Sequence, residues 1–331
     1  MLLDILTREG VLITVSVRYW RGTKKLNAED VGLNPDSVSD RLISLGHKRL
    51  LPKEATAALA LIEGRAHAFI ESNTFPFLNG LAHFVPNGKL AEVSAKLKKM
   101  EEEFWAAKAQ FLEHYASLRE GAVNEWREMA KKLVSDPQPL LATIEASFPP
   151  AQKLERSFGF ETHLFQVSAP ERLGVDLVAL ADQEHIIAAR EQAAREAAAK
   201  IRSETDAFVA DCVASLREQT ARLCEEMLAS INSSETGVHQ KTLNRLVRFI
   251  DQFKQMNFAN DTVMEAELQK TRQELLSKSA QEYRDDAVAR TRLTQGLSRL
   301  AAHARQLAEQ DATELVQRFG EMGRRKFQLA A

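Results

Sequence analysis

The chain has 331 residues, 44% hydrophobic and 27% charged, with a formal net charge of −2. That composition argues against the membrane and disordered classes and fits an ordinary soluble protein with room for one to three domains, and so balanced a charge argues against a globally basic nucleic-acid binder. Pro and Gly concentrate before about residue 175, so the later chain is expected to be nearly uninterrupted helix. The opening MLLDILTREG lacks a secretion signal's basic start and long apolar stretch, and the longest apolar run, Ala57 to Ile62, falls far short of the roughly 20 residues of a spanning helix. A cytoplasmic location without membrane insertion is expected.

In chain order, Val11, Ile13, Val15, Val17 and Tyr19 alternate with Leu12, Thr14, Ser16, Arg18 and Trp20, the two-residue period of a strand. Turn signals follow, with Asn34 or Asp36 able to cap a short helix reaching Leu45, and a second helix is expected from Pro52 to about Ser72. Between Phe75 and Gly88 only Leu81 to Val85 reads as a strand, and Ser157 to Pro170 supplies a third. Since a lone strand cannot satisfy its backbone, the three are expected to share one small sheet.

From Leu90 the pattern is helical to about Leu133. Its stripe is Leu90, Val93, Leu97, Met100, Phe104, Ala107, Phe111, Tyr115, Leu118, Ala122, Trp126, Met129 and Leu133, ended by Asp136 and Pro137. Shorter helices surround Pro149 and Pro150. A longer helix spans about Val175 to Ile231 with the stripe Ile201, Thr205, Phe208, Cys212, Leu216, Thr220, Leu223, Met227 and Ile231. An amphipathic helix covers Leu243 to Phe258, and a last one runs from Val263 towards Met322. The expected fold is mainly α: long antiparallel helices forming a coiled coil or elongated bundle, with a small β-sheet of about three strands. The expected division is 1–170, holding the sheet and the first long helix, and 171–331, a long-helix region packing back on it. Exposed heptad faces would also allow a homo-oligomer.

No constellation carries identifiable chemistry, so no catalytic, cofactor-binding or metal-binding residue is assigned and a non-enzymatic role is expected. The eight His are scattered, with no HExxH and no Cys-x-x-Cys. Cys212 and Cys224, about 18 Å apart along one helix, read as buried free thiols. Glu161 with His163, joined by His83, and Glu63 with His67 read as ordinary neighbour pairs. Lys89 in PNGKL reads as a turn and helix start lacking the flanking residues of a phosphate loop. Glu101 to Glu103 and the Asp285, Asp286 pair read as solvated faces.

Charge is uneven: Arg18 to Lys53 holds eight Lys and Arg against four Asp and Glu, and Arg290 to Ala331 the same. Within the first, Arg18, Trp20, Arg21, Lys24 and Lys25 form an Arg-aromatic cluster suited to a protein interface or to stacking on single-stranded bases, unless Trp20 only caps the sheet. With Arg324, Arg325 and Lys326 these cations support the alternative reading, a nucleic-acid-binding accessory protein of a mobile element or phage.

The stretch VRYWRGTKKLNAEDVGL, Val17 to Leu33, resembles the amino-terminal signature of an uncharacterised bacterial protein family of about this length. Its members are encoded, often on mobile elements or phages, beside MoxR or CobS-like AAA ATPases and CobT-like von Willebrand factor A proteins. The matching residues are Trp20, Gly22, Lys24, Lys25, Leu26, Glu29 and Asp30. The resemblance implies a partner class rather than a reaction. With neither a nucleotide-binding loop nor the Asp-x-Ser-x-Ser of a von Willebrand factor A metal site, this chain would be the third component, a helical scaffold or adaptor.

Overall fold

A computed structural model describes residues 2–28, 30, 45–77, 80–168, 184–233 and 237–309. It is mainly helical, with long antiparallel helices and a small antiparallel sheet. The short helix expected before Leu45, the start of the long helix at Val175 and the end of the last helix towards Met322 lie outside the described residues.

Helix α1 (Leu2–Glu9) leads into strand β1 (Gly10–Arg18). Strands β2 (Thr23–Lys25) and β3 (His47–Arg49) pair with each other, a two-stranded sheet absent from the sequence expectation. After a 3₁₀ turn at Lys53–Thr56 come α2 (Ala57–Asn73), β4 (Phe75–Phe77) and β5 (Ala82–Pro86). Then follow α3 (Asn87–Leu133), α4 (Gln138–Ser147), α5 (Ala151–Glu155) and β6 (Gly159–Phe165). The main sheet has the order β4-β5-β1-β6, four strands rather than three. The segment around Phe75 contributes a hairpin because Pro76, which cannot donate to a ladder, sits on an edge strand where no ladder bond is required.

The chain forms two compact units that interleave in sequence, 1–13, 73–91 and 164–331 in one and 14–72 and 92–163 in the other.

In the first unit α6 (Glu184–Ser233) is a helix of 50 residues, about 75 Å long. Every expected stripe position from Thr205 to Ile231 is buried. Helix α10 (Ala287–Glu309) runs antiparallel to it: Arg217 reaches the Leu307 carbonyl, and Gly237, just beyond α6, lies beside Arg290. Between them come α7 (Gln240–Met256), α8 (Thr262–Leu275) and α9 (Ala280–Asp285). The single helix expected from Val263 is thus three helices. Ser279 and Glu282 form a capping box that starts α9, and the Asp286 carboxylate accepts from the Val288 and Ala289 amides to start α10. These side chains offer the backbone a favourable alternative to continuing the helix. Phe75, Phe77 and Phe84 of the hairpin pack against Phe208 and Phe258 at centroid distances of 4.8 to 5.7 Å.

In the second unit α3 buries Val93, Leu97, Met100, Phe104, Phe111, Tyr115 and Ala122. Beyond Ala122 the expected stripe fails: Met129 and Leu133 are about half exposed and Ala130 is fully buried. The steps of four through Leu118, Ala122 and Trp126 simply continue to Ala130, which turns Met129 and Leu133 outward. Around Phe104 gather Phe158 and Phe160, the latter from β6.

Candidate functional site

The end of β1 is built into the second unit. The Arg18 guanidinium pairs with the Glu161 carboxylate. Arg21 Nη2 donates to Glu63 Oε1 at 2.7 Å, the Tyr19 hydroxyl donates to Glu63 Oε2 at 3.1 Å, and the Arg21 guanidinium lies 5.0 Å from the Tyr19 ring centre. Burial, then the Glu63 charge, pushes the Tyr19 hydroxyl above its ordinary pKa. Trp20 sits among Phe111, Tyr115 and Phe148 at centroid distances of 6.4, 5.8 and 6.3 Å, and Tyr115 donates to the Pro149 carbonyl at 2.8 Å. The Arg-Tyr-Trp-Arg run is therefore held by α2, α3, β6 and the segment after α4.

Lys24 and Lys25 behave differently. They lie exposed on β2, where Lys24 faces Lys48 and Lys25 faces His47 across the ladder. Two cations facing each other would repel, but Lys48 turns inward and pairs at 2.5 Å with Asp30, both side chains being at most 5% exposed. The Asn27 amide donates to the same Asp30 oxygen at 2.8 Å. The pair cancels its own charge and leaves Lys24, Lys25 and Arg49 as the outward cations of this small sheet. Trp126 Nε1 donates to the Arg49 carbonyl at 2.8 Å and so ties β3 to α3. On the next two turns of α3 come Met129 and Leu133, 51% and 52% exposed, with Lys131 and Lys132. Lys131 is engaged by Glu128 at 2.7 Å. The candidate site is this surface of the second unit, with outward cations on the small sheet and exposed apolar side chains on the turns of α3 that follow Trp126.

The other residues singled out in the sequence are placed in structural pairings. His163 Nε2 is 3.7 Å from Glu161, whose carboxylate also takes Arg18, while His83 Nδ1 lies 3.1 Å from the Thr74 hydroxyl. Glu63 binds Tyr19 and Arg21. Lys89 is buried, and a Cβ on Gly88 would sit 2.8 Å from the Gln255 carbonyl oxygen, so the α3 start is covered by the end of α7 and offers no open anion site. Glu103 pairs with Arg65 at 2.7 Å, and the hydrogen bond from Arg65 holds its carboxyl below the usual range. Among the described residues no group of three His, Cys, Asp or Glu converges to hold a metal ion. Arg324, Arg325 and Lys326 lie outside the described residues.

Both thiols are buried in the first unit. Burial, followed by the Asp211 charge, pushes Cys212 well above its ordinary pKa, and burial with the Glu225 charge pushes Cys224 up to about 12. Neither can supply a thiolate near neutrality. In the folded protein both should resist a thiol-disulfide reagent at pH 8 and both should react once denatured, which absorbance titration with and without guanidinium checks.

One feature was missed at the level of sequence. Between α6 and α7 in the first unit lies an open groove of about 570 Å³, lined by Arg222, Arg245, Arg248, Glu226, Leu223 and Phe249 among others. Arg245 is paired with Glu226 at 2.6 Å, leaving a net positive lining beside an aromatic ring. Arg245 and Arg248 stand three apart on a helix whose Leu243, Leu246 and Ile250 face inward, a spacing that could have placed both arginines on one outer side.

Among the described residues no helix is long and apolar enough to cross a membrane. No curated protein and no solved structure matches the chain. A family model described as "Protein of unknown function (DUF3150)" matches residues 7–300, a span that takes in β1, both long helices and the whole candidate surface. The chain is a member of that family.

Proposed function

We propose that the protein is a non-enzymatic helical adaptor that works in the bacterial cytoplasm with a MoxR-type AAA ATPase and a von Willebrand factor A protein, in a phage or mobile-element setting. The partner class comes from the resemblance of the Val17 to Leu33 stretch. The observation that carries an adaptor role is the surface of the second unit, which exposes Lys24, Lys25 and Arg49 on the small sheet and Met129 and Leu133, with Lys132, on the turns of α3 that follow the Trp126 bond to the Arg49 carbonyl. Exposed apolar side chains next to cations suit an acidic protein surface, with the apolar contacts supplying affinity and the charges steering encounter.

The test is co-purification of the full chain with the ATPase and the von Willebrand factor A protein encoded beside it, with and without ATP. The wild type should retain at least one of them, and Lys24→Glu with Lys25→Glu should lose it while the thermal melt is unchanged. Failure of the wild type to bind either, or retention by the double variant, would sink the proposal. The α6–α7 groove favours a second reading, binding of single-stranded nucleic acid by Arg222, Arg248 and Phe249. The same preparation decides it, since that reading requires salt-sensitive binding of an oligonucleotide.

A further inference from the structure

Within the first unit, Arg245 and Arg248 stand one turn apart on α7, and the fold sets them against Arg222 of α6 across the open groove. The ion pair of Glu226 with Arg245 marks one end of that groove. Back along α6 from Glu226, Arg222 follows after one turn and Gln219 after two. Forward along α7 from Arg245, Arg248 and Phe249 follow after one turn and Gln252 after two. Two turns on each helix give the groove a length of about 10 Å. Its volume of about 570 Å³ lies within the roughly 300 to 1,000 Å³ of small-ligand sites.

The cations in the groove are not equivalent. Arg245 is engaged by Glu226, whereas Arg222 and Arg248 are exposed, and among the described residues no ion pair engages either. Arg248 spends only its Nε, on the Asn244 carbonyl of its own helix at 3.3 Å, so its terminal nitrogens point to other acceptors. Phe249 is half-buried beside them, with the Phe253 ring of the next turn against it. Two unspent guanidiniums within two turns match a ligand with two negative charges at one place. A phosphate monoester carries about −1.5 to −2 at neutral pH, whereas each phosphodiester within a strand carries a single charge. Guanidinium forks take phosphate oxygens in pairs, and a nucleobase stacks on an aromatic ring whatever its sequence. The Arg245–Glu226 pair is neutral overall, so it offers a following phosphate no net attraction.

We propose that the α6–α7 groove holds a single nucleotide, with a phosphate monoester between Arg222 and Arg248 and the base against Phe249. This rests on the second reading above and narrows it: the nucleotide is the 5′-phosphorylated end of a strand, with a free mononucleotide as the other source of the same chemistry.

Fluorescence anisotropy of the full chain with a short oligothymidylate labelled at its 3′ end tests this. The 5′-phosphorylated strand should bind about tenfold more tightly than its 5′-hydroxyl counterpart, the effect of added hydrogen bonds to a charged group. Arg222→Ala and Arg248→Ala should each weaken it about tenfold and remove most of the 5′ preference, with the thermal melt unchanged because both side chains are exposed. Phe249→Leu should weaken both strands about tenfold. Arg305→Ala removes a cation paired with Glu225 where α6 meets α10, and should leave binding unchanged. Thymidine 5′-monophosphate should displace the strand, and inorganic phosphate should displace it far less. Equal affinity for the two strands would overturn the proposal and leave strand binding standing. Binding of the monophosphate with neither strand bound would support the nucleotide site and end the strand reading. Binding that R222A and R248A leave intact, or displacement by inorganic phosphate as effective as by the monophosphate, would overturn the proposal. No binding of any probe would overturn both.

Discussion

Arg217→Ala should lower the unfolding free energy by about 3 to 5 kcal/mol, the range for removing one partner of a buried ion pair. Arg217 is 6% exposed and Asp261 2%. Arg217 Nε donates to Asp261 Oδ2 at 2.6 Å and Nη1 to the Leu307 carbonyl at 2.7 Å, so one side chain joins α6, the start of α8 and the end of α10. Truncation leaves a carboxylate out of water with no cation and takes a donor from the Leu307 carbonyl. Asp261 also caps α8 by accepting from the Met264 amide, and its own amide donates to Asn257, so its position is set independently of the arginine. It cannot swing out to water without costing that cap. Lys at 217 keeps the charge but loses the planar fork that serves two acceptors at once, and should recover only part of the loss. Urea unfolding of wild type, Arg217→Ala and Arg217→Lys checks this, and a loss below 1 kcal/mol for alanine would mean that the pair is solvated.

Trp20→Ala should cost about 3 kcal/mol, the low end for removing a large aromatic because the ring is only partly buried. Three ring neighbours lose their contacts with it, each tilted or edge-on, the arrangement aromatic rings favour. Trp20→Phe should keep a substantial part. The variant separates two roles that the residue's sequence context leaves open. If Trp20 holds β1 to α3 and the segment after α4, the urea midpoint falls. If it were primarily a partner contact, the midpoint would stay and only binding would change. The ring geometry favours the first outcome, and under the proposed adaptor reading the contact would fall to Lys24, Lys25 and the exposed side chains of α3.

Nine stripe residues of α6, from Ile201 to Ile231, could be chosen from spacing alone, and eight are fully buried with Ile201 partly so. A long helix repeats one geometry, so a local period continues over many turns. The same rule failed beyond Ala122 of α3 because the residue that turns inward there is Ala130, too small to mark a buried face by hydropathy. The breaks at Ser279 and Asp286 were present in sequence as a Ser-x-x-Glu box and an Asp cap, but the helical pattern running from Val263 towards Met322 obscured them. Strands β2 and β3 carry Lys, His and Arg with little apolar alternation, and they are legible only once the chain between them has brought them together.

The sequence by itself determined the mainly helical character, the three regions that enter the main sheet and the burial of both thiols, because each follows from periodicity and composition within one segment. Only the tertiary structure decided which charges are spent. Lys48 is neutralised by Asp30 and Arg217 by Asp261, whereas Lys24 stays on the surface and Arg222 and Arg248 line an open groove. These cations are equivalent in a charge count. What separates them is the cost of leaving water, which only a carboxylate brought from a distant segment can offset.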